Sequence, residues 1–388
     1  MRDVIILGST GSIGSQALEV IAGHRDRFTV VGLAAGGGSV ESLAAQVRDF
    51  QPDVVAVADP AAALALRGLL GDHPVTIEAG PGAATELAGR RCDVVLNGIT
   101  GAAGLRPTLA ALAAGSSLAL ANKESLVIGG RLVTEAAGPG QIVAVDSEHS
   151  AIAQALRAGR RADVKRLILT ASGGPFRGRS REELRDVTPE QAMAHPTWAM
   201  GPVITINSAT LINKGLELLE AGLLYDVPLD AIDVVVHPSS DVHSMVEFVD
   251  GSTIAQCSPP DMKLPIALGL GWPERVSGVT PGYDWTRPRS WSFEPLDDAA
   301  FPAVALARRV GTLGGTAPAV YNAANEVCVD AFCRGAIGFL DIVDTVAAVV
   351  DDHVAAGWLP DAALSVDAVL AADAWARGRA TERTEGAR

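Results

Sequence analysis

From the first residue to about 146, short runs rich in Val, Ile, Leu and Phe alternate with alanine-rich stretches of helical length. The first of those runs empties directly into Gly8-Ser9-Thr10-Gly11-Ser12-Ile13-Gly14. Strand-helix alternation of this kind calls for a parallel sheet covered by helices on both faces. The runs predict strands at Val4 to Leu7, Phe28 to Ala34, Val54 to Ala58, Asp93 to Asn97, Ser117 to Ala121 and Ile142 to Val145. Helices are predicted at Ser15 to Gly23, Val40 to Phe50, Ala61 to Leu70 and Leu105 to Ala114. Residues 1–146 therefore read as a doubly wound, Rossmann-like α/β domain.

The pattern then changes. Residues 147–276 hold a basic glycine-rich stretch from Gly173 to Arg185, a helix around Ala209 to Ala221, and strands at Ile232 to His237 and Met245 to Val249. Asp250-Gly251-Ser252 turns the last strand into Thr253 to Gln256, a hairpin signal. This is an α+β unit, with a polar lid expected over 173–203. Residues 277–302 are proline-rich and aperiodic, a linker, and 303–388 read as a helical C-terminal domain whose last dozen residues fray.

Composition removes several function classes. The 388 residues carry 31 Lys+Arg against 45 Asp+Glu, a net charge of −14, which argues against a nucleic-acid partner. No apolar run reaches the ~18 residues of a membrane span, and the N-terminus turns glycine-rich too soon for a signal peptide. A cytoplasmic protein with no membrane partner is expected. Cys92, Cys257, Cys328 and Cys333 show no CxxC spacing and read as reduced core thiols.

The glycines at 8, 11 and 14 follow a strand and open a helix, an order that lets backbone amides and a helix N-terminus meet a pyrophosphate. The spacing is GxxGxxG rather than GxGxxG, so a plain tight turn is the competing reading. An acid at the end of the second strand would bind ribose hydroxyls and repel a 2′-phosphate. Gly36-Gly37-Gly38-Ser39 stands there instead, which favours NADP over a loosely fitted NAD.

Asp146-Ser147-Glu148 lies just past a strand, where open α/β sheets place their ligands. In extended geometry its two carboxylates share a side. Such a pair suits a divalent cation, and oxygen donors favour Mg²⁺ or Mn²⁺; two solvated loop acids are the alternative. Asn213 and Glu217 are spaced i, i+4 and Lys214 and Glu217 i, i+3, on a helix expected to begin around Ser208. That face holds either a solvated ion pair or a phosphate on Lys214 beside a metal on Glu217. Two of only four lysines, Lys123 and Lys214, follow an asparagine in a chain whose default cation is arginine.

Ser172-Gly173-Gly174 after an apolar run is an anion nest or a plain turn. In the lid, His195 would donate to an anion and Trp198 would close over a ligand to exclude water. His237 and His243 lack zinc geometry and read as packing residues.

These pieces form a set: GSTGSIG at 8–14, ANKESLV at 121–127, VDSEHSAI at 145–152, SGGPFRG at 172–178, HPTW at 195–198, NSATLINKGLE at 207–217, VHSMVEF at 242–248 and NAANE at 322–326. In this order and across nearly the whole chain they strongly resemble the 1-deoxy-D-xylulose 5-phosphate reductoisomerase family. The resemblance implies NADPH- and divalent-metal-dependent conversion of 1-deoxy-D-xylulose 5-phosphate to 2-C-methyl-D-erythritol 4-phosphate, in non-mevalonate isoprenoid synthesis. It implies Asp146, Glu148 and Glu217 as ligands of Mn²⁺ or Mg²⁺, with Co²⁺ also admissible, and Lys123 and Ser147 at the sugar end. It matches Ser172, Ser208, Asn213 and Lys214 to phosphate-binding positions and His195 to a lid histidine. It matches Thr10, Gly11, Ser12, Ile13, Gly36, Gly37, Gly38, Asn122, Glu124 and Gly201 to NADPH contacts, and it implies a homodimer.

The chain departs from the family pattern in two places. His237-Pro238-Ser239-Ser240-Asp241 stands where many members read HPQS and an apolar residue, and Pro202-Val203 stands where many carry basic residues. A buried Asp241 would cost stability. A metal- and NADP-dependent hydroxy-acid dehydrogenase would need a carboxylate-binding arginine in place of the phosphate set, and a non-catalytic nucleotide-binding paralogue would show a broken carboxylate triad.

Overall fold

The computed structural model describes residues 1–194 and 201–386. Seven strands form an all-parallel sheet: β1 (Arg2–Leu7), β2 (Phe28–Ala35), β3 (Val54–Val57), β4 (Thr76–Ala79), β5 (Val94–Asn97), β6 (Ser117–Leu120) and β7 (Ile142–Ala144). Their spatial order is β4-β3-β2-β1-β5-β6-β7, so the order reverses on either side of β1. The helices between them are α1 (Ser12–Ala22), α2 (Val40–Phe50), α3 (Pro60–Leu70), α4 (Ala83–Ala88), α5 (Leu105–Ala113), α6 (Lys123–Gly129) and α7 (Arg131–Ala136). β1, β5 and β6 are buried almost completely, which is why their sequences are unbroken apolar runs rather than alternating ones.

After α8 (Ser147–Ala155) comes a second sheet of β8 (Val164–Ala171), β9 (Ile232–Val236), β10 (Val242–Phe248), β11 (Thr253–Cys257) and β12 (Glu294–Pro295), in the order β11-β10-β8-β9-β12. The remaining helices, in chain order, are α9 (Pro189–Ala192), α10 (Pro202–Ala209), α11 (Ile212–Tyr225), α12 (Lys263–Gly271), α13 (Ala303–Leu313), α14 (Ala317–Cys333), α15 (Phe339–Ala356) and α16 (Val366–Glu385). Among the described residues no helix is long and apolar enough to cross a membrane, and the four cysteines are free.

Contacts group the chain differently from boundaries at 146, 276 and 302. One compact unit comprises Met1–Ser125, Val133–Ser150 and Asp261–Pro281; the other comprises Leu126–Leu132, Ala151–Pro260 and Gly282–Arg388. The reason is packing. Ile266, Ala267 and Leu270 of α12 share the core of Val4, Leu96 and Ala119 in the parallel sheet. Helices α13 to α16 share one core with Leu167, Leu169 and Leu218, so the C-terminal helices and the second sheet are a single body. The expected linker contributes β12, paired with Val235 and Val236 of β9.

Three expectations change locally. β4 was not predicted; it is an edge strand with little burial and therefore little apolar signal. The single helix expected from about Ser208 is two helices, α10 and α11, separated by Leu211 in the left-handed region at φ 62°. Of the expected lid, Phe176, Leu184, Val187 and Ala192 are core residues, and Thr188 and Gln191 cap α9 reciprocally. His195 and Trp198 lie outside the described residues.

Candidate functional site

In the first unit the glycine turn has the geometry that its residues predict. Gly8 sits at φ 80°, and a Cβ on Gly14 would lie 2.3 Å from the Gly8 carbonyl oxygen, so the turn can close only with glycine at both positions. Gly11 precedes α1, whose first residues are Ser12 and Ile13, and α1 has no side-chain cap. Its first amides are thus left for another acceptor. Gly37 at φ 117° turns the chain after β2, while Gly36 and Gly38 face open space. No acid ends β2; Asp59, at the end of β3, accepts the Ala61 amide at 2.8 Å and caps α3.

Asn122 is buried and its carboxamide is committed: it bonds Glu124 at 2.9 Å, the Gly101 carbonyl at 3.1 Å, and the amide of Ser125 at 2.7 Å. This ties the Gly101 turn to the start of α6 and sets Lys123 and Glu124 at the helix N-terminus. Lys123 forms a salt bridge with Asp146.

Asp146-Ser147-Glu148 is not extended, as expected from the sequence, but a helix start. The Asp146 carboxylate accepts the amides of Glu148 at 2.9 Å and His149 at 3.0 Å, an N-cap on α8. An aspartate ahead of Ser-Glu at the head of an apolar helix is the ordinary signal for such a cap. Burial pushes the Asp146 carboxyl up, but Lys123 and His149 outweigh it and hold the group well below the usual carboxylate range. Ser147 donates to Glu148. Two carboxylates with oxygen donors held on one helix start form a hard-cation donor set.

In the second unit, Ser172 directly follows β8, and Gly173 and Gly174 are both left-handed, at φ 83° and 65°. The Ser172 hydroxyl accepts the Gly174 amide at 3.2 Å. A Cβ on Gly174 would lie 2.9 Å from the Ser208 carbonyl, so the turn packs directly on the end of α10. Gly201 is the N-cap of α10 and Pro202 its first residue, where proline is at home; Pro202 and Val203 are exposed. On the first turns of α11, Glu217 accepts from Asn213 and pairs with Lys214. The lysine and glutamate side chains are only 5% and 1% exposed, so the solvated ion pair considered for them is excluded.

The histidines pack, as their spacing suggested. His237 bonds the Ser292 carbonyl at 2.8 Å and stacks on Phe293, and His243 bonds the Ser258 carbonyl. Asp241 is not stranded. Its carboxylate accepts from the Tyr283 hydroxyl at 2.6 Å and the Trp291 indole at 3.1 Å, partners that a local reading could not supply.

Comparison with known proteins gives matches along nearly the whole chain. Family models described as 1-deoxy-D-xylulose 5-phosphate reductoisomerase and its C-terminal domains match residues 4–130, 142–225 and 257–379. A reductoisomerase of that name from Cutibacterium acnes is 64% identical, covering 98% of each chain, and one from Kitasatospora griseola is 63% identical, covering 99% of this chain and all of the relative. The chain belongs to the 1-deoxy-D-xylulose 5-phosphate reductoisomerase family. Among solved structures, the Zymomonas mobilis reductoisomerase in complex with NADPH superposes with a TM-score of 0.91 at 42% identity over 99% of both chains. A reductoisomerase in complex with NADPH, fosmidomycin and magnesium gives 0.92 at 37% identity, over 99% of this chain and 98% of the other. The two departures from the family pattern are both accommodated locally, one at an exposed helix start and one by aromatic donors.

Proposed function

We propose that this chain converts 1-deoxy-D-xylulose 5-phosphate to 2-C-methyl-D-erythritol 4-phosphate with NADPH and a divalent metal. The observation that carries the reading is the full-length likeness to reductoisomerases, 64% identity over 98% of the chain. Asp146, Glu148 and Glu217 would hold Mg²⁺ or Mn²⁺, an all-carboxylate set suited to a hard ion. When bound, the metal supplies Lewis acidity toward the substrate's carbonyl and hydroxyl oxygens, and NADPH supplies the hydride.

The protein's own residues bind and orient. Ser172, Ser208, Asn213 and Lys214 take the phosphate and anchor the substrate at the end remote from the reacting carbons. Lys123, Ser147, His195 and Trp198 serve the sugar end. Thr10, Gly11, Ser12, Ile13, Gly36, Gly37, Gly38, Asn122, Glu124 and Gly201 serve the cofactor. The glycine at the end of β2, in place of an acid, fits a 2′-phosphate. A homodimer in the cytoplasm is the setting proposed for it.

The test is NADPH absorbance in the presence of 1-deoxy-D-xylulose 5-phosphate and Mn²⁺. Oxidation abolished by EDTA and reduced by roughly three orders of magnitude in Glu217→Gln is the expected outcome. Folded protein that binds NADPH and leaves it unconsumed would overturn the proposal.

A further inference from the structure

The NAANE segment at 322–326 contains none of the residues assigned to substrate, metal or cofactor, yet its two asparagines are buried. On α14 it presents two faces. Asn322 bonds Glu326 at 2.9 Å, and Glu326 accepts from Arg377 of α16 at 2.6 Å. The other face, Tyr321 and Asn325, is spaced i, i+4 and turns toward α10 and α11. Asn325 donates to the Asn207 carboxamide at 3.0 Å, with Asn325 fully buried and Asn207 only 6% exposed. The Tyr321 hydroxyl lies against Gly215, where a Cβ would approach it to 2.7 Å. Both the Tyr321 hydroxyl and the Asn325 amide oxygen lack a partner.

Two buried polar atoms without a protein partner are a poor choice for stability, and apolar side chains of the same shape would pack there without that loss. What these residues brace is the left-handed elbow at Leu211, flanked by Ser208 at the end of α10 and by Asn213 and Lys214 at the start of α11. A leucine at φ 62° is strained and persists only where its surroundings over-determine it. The Leu211 amide bonds the Ser208 carbonyl, the Thr210 hydroxyl bonds the Ile206 carbonyl, and Asn325 fixes the residue just before Ser208.

We propose that Asn325 is a positioning residue for the substrate phosphate: through Asn207 it holds Ser208 in register with Asn213 and Lys214 across the strained elbow. This rests on the phosphate-binding roles proposed above. A bond that fixes one phosphate donor acts on ground state and transition state alike, so its loss raises KM and leaves kcat near its original value.

The experiment uses the full-length protein, with turnover kinetics beside calorimetric binding of 1-deoxy-D-xylulose 5-phosphate in EDTA. N325L should raise KM and Kd together by about tenfold with kcat within about twofold. If Asn325 acts through Ser208, S208A/N325L binds no more weakly than S208A. The variant N207L/N325L removes both partners, so it recovers thermal stability and keeps the raised Kd; it also carries the test should N325L fold poorly. Wild-type binding by N325L, multiplicative effects of S208A and N325L, or a Kd that recovers along with Tm in the double variant would each overturn the inference. Wild-type protein that neither binds nor turns over the sugar phosphate refutes the proposed function itself, whereas wild-type activity matched by N325L refutes this inference alone.

Discussion

The two units hold their key carboxylates by different means. Asp146 is anchored by backbone: two amides at the head of α8 point at it, and Lys123 adds a charge from the head of another helix. Glu217 sits inside α11, where the neighbouring amides are already engaged in helical bonds, and it meets Lys214 and Asn213 instead. An anion fixed by backbone survives the loss of one side chain. An anion fixed by a buried lysine does not, because the partner left behind is an uncompensated charge in a poorly hydrated place.

The largest consequence is a difference in stability. Lys214→Met, which breaks a pair 5% and 1% exposed, should cost about 3–5 kcal/mol in urea unfolding. Lys123→Met, at a pair 18% and 12% exposed, should cost about 1–3 kcal/mol, since the two amides remain. Equal costs would break the comparison. It is sharpened by Lys214→Met combined with Glu217→Met, which should return stability to within about 1 kcal/mol of the parent by removing both charges.

Next in size is metal-linked stabilisation. Mg²⁺ at about a hundred times its Kd should add about 2.7 kcal/mol by mass action. Because Asp146 and Glu217 are proposed to share one ion, Asp146→Asn and Glu217→Gln should each abolish the increase in Tm on adding Mg²⁺. A variant in one unit that retains the full increase would show that its carboxylate is not a ligand.

The same contrast explains what the sequence could show. Features that are local were legible: the glycine turn, the buried parallel strands, and Asn213, Lys214 and Glu217 sharing one helical face. Non-local features were not. Nothing in Lys263 to Gly271 says that this helix returns to the first core, because membership of a core is decided by partners far along the chain. The break at Leu211 was hidden because leucine is a helix former, and only tertiary packing puts it at positive φ. Asp146 differs again: its charge and spacing fit a strand pair, yet Asp-Ser-Glu ahead of an apolar helix is also a capping signal, and the structure takes the cap.

Asp241 supplies the low-burial end of the comparison and the smallest expected effect. It is held by side chains, as Glu217 is, but only half-buried, by Tyr283 and Trp291 from the segment joining α12 to β12. Burial pushes its carboxyl up, yet hydrogen bonds from Tyr283, Ser239 and Trp291 outweigh this and leave it below the usual range. A carboxyl depressed in the folded state stabilises above its unfolded value of about 3.9, and that contribution is lost as pH falls through the folded value. Solvent screening keeps the amount to about 1 kcal/mol or less. Asp241→Asn should therefore lower Tm slightly at neutral pH, and the gap between parent and variant should close as pH falls below about 4. A gap as large as that of Lys214→Met, or one that is constant with pH, would mean that burial is not what separates Asp241 from Glu217.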